Sequence, residues 1–182
     1  MNYYGAKQMA ASWRTVRNNT IQVAEDIPAD KYNYRVSPET MTVAETLAHL
    51  AVSPHWAQQV HMVERLHGMT REDFGKYRNE SNAVAATLTT KEAIVAALKK
   101  NGEEFAAGLD KMTDAELGET VAVAGAPGGD KTRFEMLLGS KEHEMHHRGQ
   151  LMQMQRLLGI VPHLTRARMA MMQQAAQQQQ NA

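Results

Sequence analysis

The chain has 182 residues, 20 basic and 20 acidic side chains, 43% hydrophobic residues and no cysteine. This length favours one domain with a full apolar core, and the lack of cysteine excludes disulfides, thiolate catalysis and metal sites with cysteine ligands. Zero net charge argues against nucleic-acid binding through bulk charge, and no uncharged apolar run is long enough for a membrane helix. Because the N-terminus also lacks the pattern of a signal peptide, we expect a cytoplasmic protein whose partners are neither nucleic acid nor membrane.

The first predicted helix runs from about Gly5 to Ile27, because apolar side chains recur there at steps of three and four residues. Pro28 ends it, since the residue before a proline is pushed out of the helical conformation. A turn-rich link then leads to Thr40. The buried stripe of this helix is predicted to consist of Trp13, Val16, Thr20, Val23 and Ile27.

The second predicted helix runs from near Thr42 to about His67 and ends at Gly68, since glycine often follows the last residue of a helix. Thr42 and Glu45 match a capping box at its start. Pro54 interrupts the pattern. Proline removes one backbone hydrogen bond, so we expect it to kink the helix or to restart it.

Residues 69–90 are polar and mixed, so we expect a long loop there, with at most a short helical turn. The third predicted helix runs from Thr90 to Leu109, and threonine is a favourable residue at its start. A connection at residues 114–130 follows, in which Val121–Val123 favours a brief extended stretch.

The fourth predicted helix runs from Lys131 or Thr132 to Leu158, where glycine and then proline follow. A short helix at Thr165–Gln174 and a frayed glutamine-rich tail at Gln177–Asn181 come next. Four main helices with little strand predict an all-α four-helix bundle at residues 1–162 and a helical or disordered tail at 163–182.

Two histidines of the fourth helix, His143 and His147, lie about 40° apart on its circumference. Histidines one turn apart can ligate the same metal ion. Both fall in the middle of the predicted core stripe of this helix. His146 lies about 100° from His147, at the edge of that stripe, and is expected beside the site. The stripe continues through Met136, Ser140, Leu151, Met154 and Leu158.

A catalytic metal site usually has three protein ligands, so a third must come from another helix. On the second helix, His49 lies on the core stripe, whereas His55 and His61 fall about 120° away and are expected at solvent or at an interface. We therefore predict a metal site formed by His49, His143 and His147. The alternative is that these imidazoles are core residues, each of which needs a buried hydrogen-bond partner.

Other polar residues near these histidines are candidates for catalysis or binding. Glu45, Glu144 and His146 are candidate general bases, and a capping role is an equal alternative for Glu45. Arg148 and Gln150 are candidates for binding a substrate or cofactor. A surface salt bridge is the alternative role of Arg148.

The fourth helix also carries apolar residues on the side opposite His147, and a helix that is apolar on both sides is either central or covered by a partner. We therefore predict a homodimer. The alternative is that a methionine-rich C-terminal segment folds over this face. The face consists of Phe134, Leu138, Met145 and Met152, and the segment contains Met169, Met171 and Met172.

Three stretches resemble the DinB/YfiT-like family, also called the DinB superfamily, whose members are classed as metal-dependent hydrolases. Residues 143–151 (HEMHHRGQL) resemble that family's H-x-x-H-H-R-G-Q-L signature, and residues 46–50 (TLAHL) resemble its first-histidine motif. Residues 27–35 (IPADKYNYR) resemble its link between the first two helices. The resemblance spans roughly residues 6–160; Pro54, soon after the first histidine, departs from it.

The resemblance implies a four-helix bundle in up-down-down-up order, usually dimeric, with a divalent metal, commonly zinc or nickel, held by three histidines. Carried over position by position, these are His49, His143 and His147. Relatives in this family are diverse: some transfer low-molecular-weight thiols such as bacillithiol or mycothiol to electrophiles, some isomerise maleylpyruvate with a thiol cofactor, and many have no known activity.

The resulting hypothesis is a metal-dependent enzyme that acts on a small-molecule substrate. The ion would activate a water or a low-molecular-weight thiol for hydrolysis or for thiol transfer to a small electrophile. The alternative is a non-catalytic, stress-related helical bundle that binds a metal or ligand without turnover.

Overall fold

Long helices packed side by side make up the protein, which confirms the predicted all-α four-helix bundle. The computed structural model describes residues 4–124 and 129–180. In chain order its helices are α1 (Ala6–Asp26), α2 (Val43–Val52), α3 (His55–Gln58), α4 (Arg71–Ala85), α5 (Lys91–Lys111), α6 (Asp114–Leu117), α7 (Arg133–Leu157) and α8 (His163–Gln180). Its strands are β1 (Gly68–Met69), β2 (Thr120–Val123) and β3 (Lys131–Thr132).

The bundle consists of α1, α2, α5 and α7. α1 packs along α5 and α7, and α2 packs against α5 and α7 from the other side. The stripe predicted for α1 is buried throughout, from Trp13 to Ile27. The spacing of apolar side chains along α1 was sufficient to predict this stripe, because a helix in a bundle buries one continuous face.

The second predicted helix is shorter and more irregular than expected. α2 ends at Val52, and Pro54 starts α3, where its missing N–H would have had no partner in any case. A π-helical turn at Gln59–Val63 follows, and the helical segment ends with it. The helix end predicted at His67 and Gly68 is therefore wrong. The π turn also shifts the phase of the helix, and His61 is buried at 1% exposure instead of facing solvent or an interface.

Residues 71–85 form the helix α4, so the loop predicted at residues 69–90 is wrong. Thr70 and Asp73 form a capping box at its start, with Thr70 Oγ1 accepting from the Asp73 amide at 3.2 Å. α4 buries Tyr77 in a small apolar cluster. It lacks a long apolar stripe, which is the signal by which a helix is recognised in a sequence. The cluster comprises Val60, Met69, Tyr77, Val121 and Met136.

A three-stranded sheet adds a minor element to the bundle. β1 pairs with β2 in parallel, and β2 pairs with β3 antiparallel. The extended stretch predicted at Val121–Val123 is confirmed as part of β2. Val121 packs in the same cluster as Tyr77, so the sheet and α4 share one apolar contact region.

The C-terminal helix α8 is longer than predicted and includes Gln177–Gln180, which were expected to fray; Asn181 lies outside the described residues. It contacts α1 through an Arg166–Asp26 ion pair and a His163–Asn19 hydrogen bond. The three methionines of this segment are exposed, so they do not cover the outer face of α7. None of the described helices is long and apolar enough to cross a membrane.

A glycine of α5 makes room for a charged side chain inside the bundle. The backbone of Gly102 accepts a hydrogen bond from the Trp13 indole at 2.9 Å, and a Cβ at Gly102 would lie 2.6 Å from Cγ of Arg17. Arg17 is 2% exposed and its guanidinium is held by hydrogen bonds, so it has no free direction in which to shift. In contrast, a Cβ at Gly149 of α7 would meet nothing within 4 Å.

Two glycine-to-alanine substitutions are expected to have opposite effects on stability. Gly149→Ala should raise the free energy of unfolding by about 0.5–1 kcal/mol, because alanine is the better helix former and space is available. Gly102→Ala should lower it by about 1–3 kcal/mol, because the new methyl group collides with Arg17. Urea unfolding of the metal-free variants measures both free energies. Equal changes of the same sign in the two variants would disprove the predicted collision with Arg17.

Candidate metal centre

Three histidines come together where α2 packs against α7. His49, His143 and His147 each offer one ring nitrogen, and these three atoms lie within 4.8 Å of one another. Nε2 of His49 lies 2.8 Å from Nε2 of His143, and the ring centroids are 4.6–5.0 Å apart. Within residues 4–124 and 129–180, no other trio of histidine, aspartate or glutamate side chains has this arrangement.

Local structure explains how these side chains are presented. His143 and His147 are one turn apart on α7, so both imidazoles project from one face. His49 lies in the last turn of α2, whose start is fixed by the Thr42–Glu45 capping box. The three residues chosen from the sequence are therefore the three that the fold brings together.

The electrostatic environment keeps these imidazoles neutral. Burial lowers the pKa of His143 to about 4, with further repulsion from His147 and His49. Burial also lowers the pKa of His49 and of His147. Neutral imidazoles are the form that binds a transition-metal ion, so this donor set can hold one. A histidine-only set suits zinc and nickel.

Gln150 orients one of the histidines. Its Oε1 lies 2.8 Å from Nδ1 of His147, which donates a hydrogen bond and leaves Nε2 with its lone pair. The Nε2 of Gln150 donates to Nε2 of His146 at 3.2 Å. His146 is exposed beside the trio, as expected. From the sequence, Gln150 is a candidate for binding a substrate or cofactor. In the structure its contact with His147 fixes which ring nitrogen of that histidine carries the proton.

Glu144 lies behind the trio in a buried ion pair. It is 0% exposed, and its Oε2 accepts a hydrogen bond from Nη2 of Arg17 at 2.7 Å. Burial raises the pKa of Glu144, and the charge of Arg17 opposes that effect. This position favours a structural role for Glu144 over the role of general base considered from the sequence.

Arg17 connects the backbones that carry the histidines. Its guanidinium donates to the carboxylate of Glu144 and, at 2.9 Å, to the carbonyl oxygen of Leu50. Glu144 directly follows His143 in the chain, and Leu50 directly follows His49. Arg17 was not among the residues predicted from the sequence. One local signal for its burial was present in the sequence, because Arg17 directly follows Val16 of the apolar stripe of α1.

The remaining candidates lie away from the trio. Glu45 caps α2, with its Oε2 accepting from the Thr42 amide at 2.7 Å, and its side chain is 55% exposed. Arg148 is half-buried and donates to the carbonyl oxygen of Val16 at 3.2 Å; burial lowers its pKa. The Glu45 contact caps α2, and the Arg148 contact links α7 to α1.

A cavity of about 810 Å³ opens beside His49 and His143. Its walls include Trp56 and Phe74, whose ring centroids are 6.1 Å apart, and Ser140 of α7. The hydroxyl of Ser140 is buried and has no hydrogen-bond partner among the described residues. A pocket of this volume, mostly apolar with a few polar groups, is typical of a small-molecule site.

The fold and the site define a four-helix bundle whose three histidines, contributed by two helices, can hold a metal ion beside a cavity. The sequence pattern of the DinB family matches residues 1–181, and the chain belongs to this family.

The chain is similar to the uncharacterised protein YjoA of Bacillus subtilis. The two are 25% identical over 146 residues, which cover 80% of this chain and 86% of YjoA. The crystal structure of YjoA, a DinB-like protein, superposes with a TM-score of 0.64 over 84% of this chain and 92% of that one. The crystal structure of the mycothiol-dependent maleylpyruvate isomerase gives a TM-score of 0.60 at 13% identity, over 81% of this chain and 61% of the isomerase.

Removing one partner of the buried ion pair is expected to be more harmful than removing both. Arg17→Met leaves Glu144 buried without a counter-charge and should lower the free energy of unfolding by about 3–5 kcal/mol. The double variant Arg17→Met, Glu144→Met should recover much of this loss. Urea unfolding of both metal-free variants checks the prediction, and a double variant as unstable as the single one would contradict it.

Gln150→Leu is expected to weaken metal binding without unfolding the chain. Loss of the hydrogen bond to Nδ1 of His147 frees the imidazole to rotate, and such partners typically contribute about 10- to 100-fold to metal affinity. Competition between the protein and a chromogenic zinc chelator measures the affinity. Gln153→Leu, at an exposed position of the same helix, is the matched control, and equal affinities for the two variants would disprove the role of Gln150.

Proposed function

We propose that the protein is a metal-dependent enzyme in which His49, His143 and His147 hold a divalent ion, zinc or nickel. Its activity would be hydrolysis, or transfer of a low-molecular-weight thiol to a small electrophile. The observation that carries the proposal is the convergence of three neutral imidazoles, two of which line an 810 Å³ cavity. Family membership and the fold shared with a thiol-dependent isomerase support it.

The number of candidate ligands favours catalysis over a purely structural site. Structural zinc sites are usually closed by four protein ligands, whereas catalytic sites have three and keep one position open. The trio contains three histidines, and two of them, His49 and His143, line the cavity. A non-catalytic metal-binding bundle would use the same trio, but it would have no need of the adjoining cavity.

The chemistry follows from the donor set and the cavity walls. A divalent ion in such a site supplies Lewis acidity, which lowers the pKa of a bound water or thiol towards about 7. Trp56 and Phe74 offer an apolar surface for the body of a substrate. The chain has no cysteine, so in a thiol-transfer reaction the sulfur would come from the thiol cofactor. His146 is a candidate base, because it is exposed and its ring centroid lies 5.1 Å from that of His147.

We further propose that the protein assembles as a homodimer through the outer face of α7. Met145 on this face is 45% exposed. Phe134, Leu138 and Met152 are half-buried. α8 leaves the face accessible, so a second copy of the chain is free to cover it.

Elemental analysis of the purified protein tests the metal site. After supply of zinc or nickel, we expect about one ion per chain in the wild type, as in other single-metal sites, and loss of that ion in His147→Ala. His67→Ala, which alters an exposed histidine outside the trio, is the control and should keep its metal.

Absence of metal from the wild type after zinc and nickel are supplied would refute the proposed function. Metal retained by the wild type but not by His147→Ala, with similar unfolding of the two apoproteins, would justify assays of thiols with electrophiles.

A further inference from the structure

The helix α4 presents one continuous face to the cavity. Its cavity-lining residues follow steps of three and four, which is the spacing of a single helical face. The face is polar at several positions, which explains why this helix has no apolar stripe in the sequence. The cavity-lining residues of α4 are Arg71, Phe74, Gly75, Arg78, Ser81 and Asn82, with Tyr77 beside them.

Arg71 and Arg78 reach this cavity as unpaired charges. Neither side chain forms a hydrogen bond or ion pair with any described residue, whereas the side chains of Arg14 and Arg17 both bind carboxylates. They are two helical turns apart, or about 10 Å along the axis. Both therefore have guanidinium groups available to a ligand.

The other charges on the wall leave the arginines uncompensated. Lys131 is paired with Glu135 at 3.3 Å, so these two cancel. Glu142 is the remaining acidic residue of the described lining. Two unpaired arginines against one carboxylate give the cavity a net positive charge, which attracts anions.

Packing holds α4 in a fixed position beside the cavity. Tyr77 is 1% exposed, and its hydroxyl donates to Oε2 of Glu64 at 2.9 Å. Glu80 binds Nε2 of His55 at 2.8 Å and so links α4 to α3. The arginines therefore project from a supported helix, an arrangement that reduces the entropic cost of binding a ligand.

We propose that the cavity binds a small carboxylate with an aromatic or apolar body, with its carboxylate on Arg71 and Arg78 and its other end towards His49 and His143. The planar guanidinium group matches a carboxylate with two parallel hydrogen bonds. Trp56 and Phe74 supply the surface for the apolar body. This assignment names the substrate class of the metal site and rests on the proposed function for the reaction at the histidine end.

Calorimetric titration with trans-cinnamate and with trans-cinnamamide tests the proposal, because the probes share a shape and differ in charge. Both are titrated into the full chain with and without zinc. We expect the carboxylate to bind at least about tenfold more tightly than the amide in both forms, the scale of charge-assisted hydrogen bonds. The variant Arg71→Gln, Arg78→Gln should lose this preference, and each single variant should lose part of it.

Arg168→Gln is the matched control, because Arg168 is an exposed arginine on α8, outside the cavity. It should keep the full preference for the carboxylate. Three results would overturn the proposal: equal or undetectable binding of both probes, a preference retained by the double variant, or a preference seen only with zinc bound.

The metal test and the carboxylate test fail independently. A carboxylate preference in the metal-free chain reports on the arginines alone, whereas metal content and its loss in His147→Ala report on the histidines. A chain that binds no metal but discriminates between the two probes would refute the proposed function while supporting the arginine site.

Discussion

The buried ion pair between Arg17 and Glu144 is the contact on which the arrangement of the bundle depends. A charge taken out of water is costly unless it is paired and hydrogen-bonded. Arg17 meets this condition by donating to Glu144 on α7, to the Leu50 carbonyl on α2 and, at 3.4 Å, to the Leu98 carbonyl on α5. One side chain of α1 therefore contacts the three other helices of the bundle. Since Leu50 and Glu144 each follow a histidine of the trio, the same contact supports the candidate metal centre.

The bundle and the segments between its helices contribute different parts of the site. α2 and α7 provide the three imidazoles, whereas α3 and α4 provide much of the cavity wall. Tyr77 anchors α4 at the edge of its cavity-lining face, and Arg71 and Arg78 on that face keep guanidinium groups available to a ligand. With this division the cavity wall can change without disturbing the histidines.

Pro54 and the π turn after it divide the second predicted helix into shorter pieces. α2 stops at Val52 and the chain restarts at α3, where Trp56 lines the cavity. The π turn that follows carries His61, which is buried. Nδ1 of His61 lies 3.3 Å from Nη1 of Arg133. Burial lowers the pKa of His61 to about 4, so its imidazole stays neutral at pH 7. A regular helix would place His61 about 120° from His49, away from the core stripe. The departure from the family pattern at Pro54 is thus a local change in the path of the chain that leaves His49 in place.

The sequence by itself determined α1, α5 and α7 and the grouping of His49, His143 and His147. These features depend on helical periodicity, which records the side of a helix that is hidden from water. Only the tertiary structure decided the helix α4, the burial of His61 and the role of Arg17. α4 turns a polar face to a cavity, the π turn breaks the periodicity before His61, and Arg17 is buried only because Glu144, 127 residues away, neutralises it. Such features depend on partners that lie far apart in the chain, so local patterns are not sufficient to predict them.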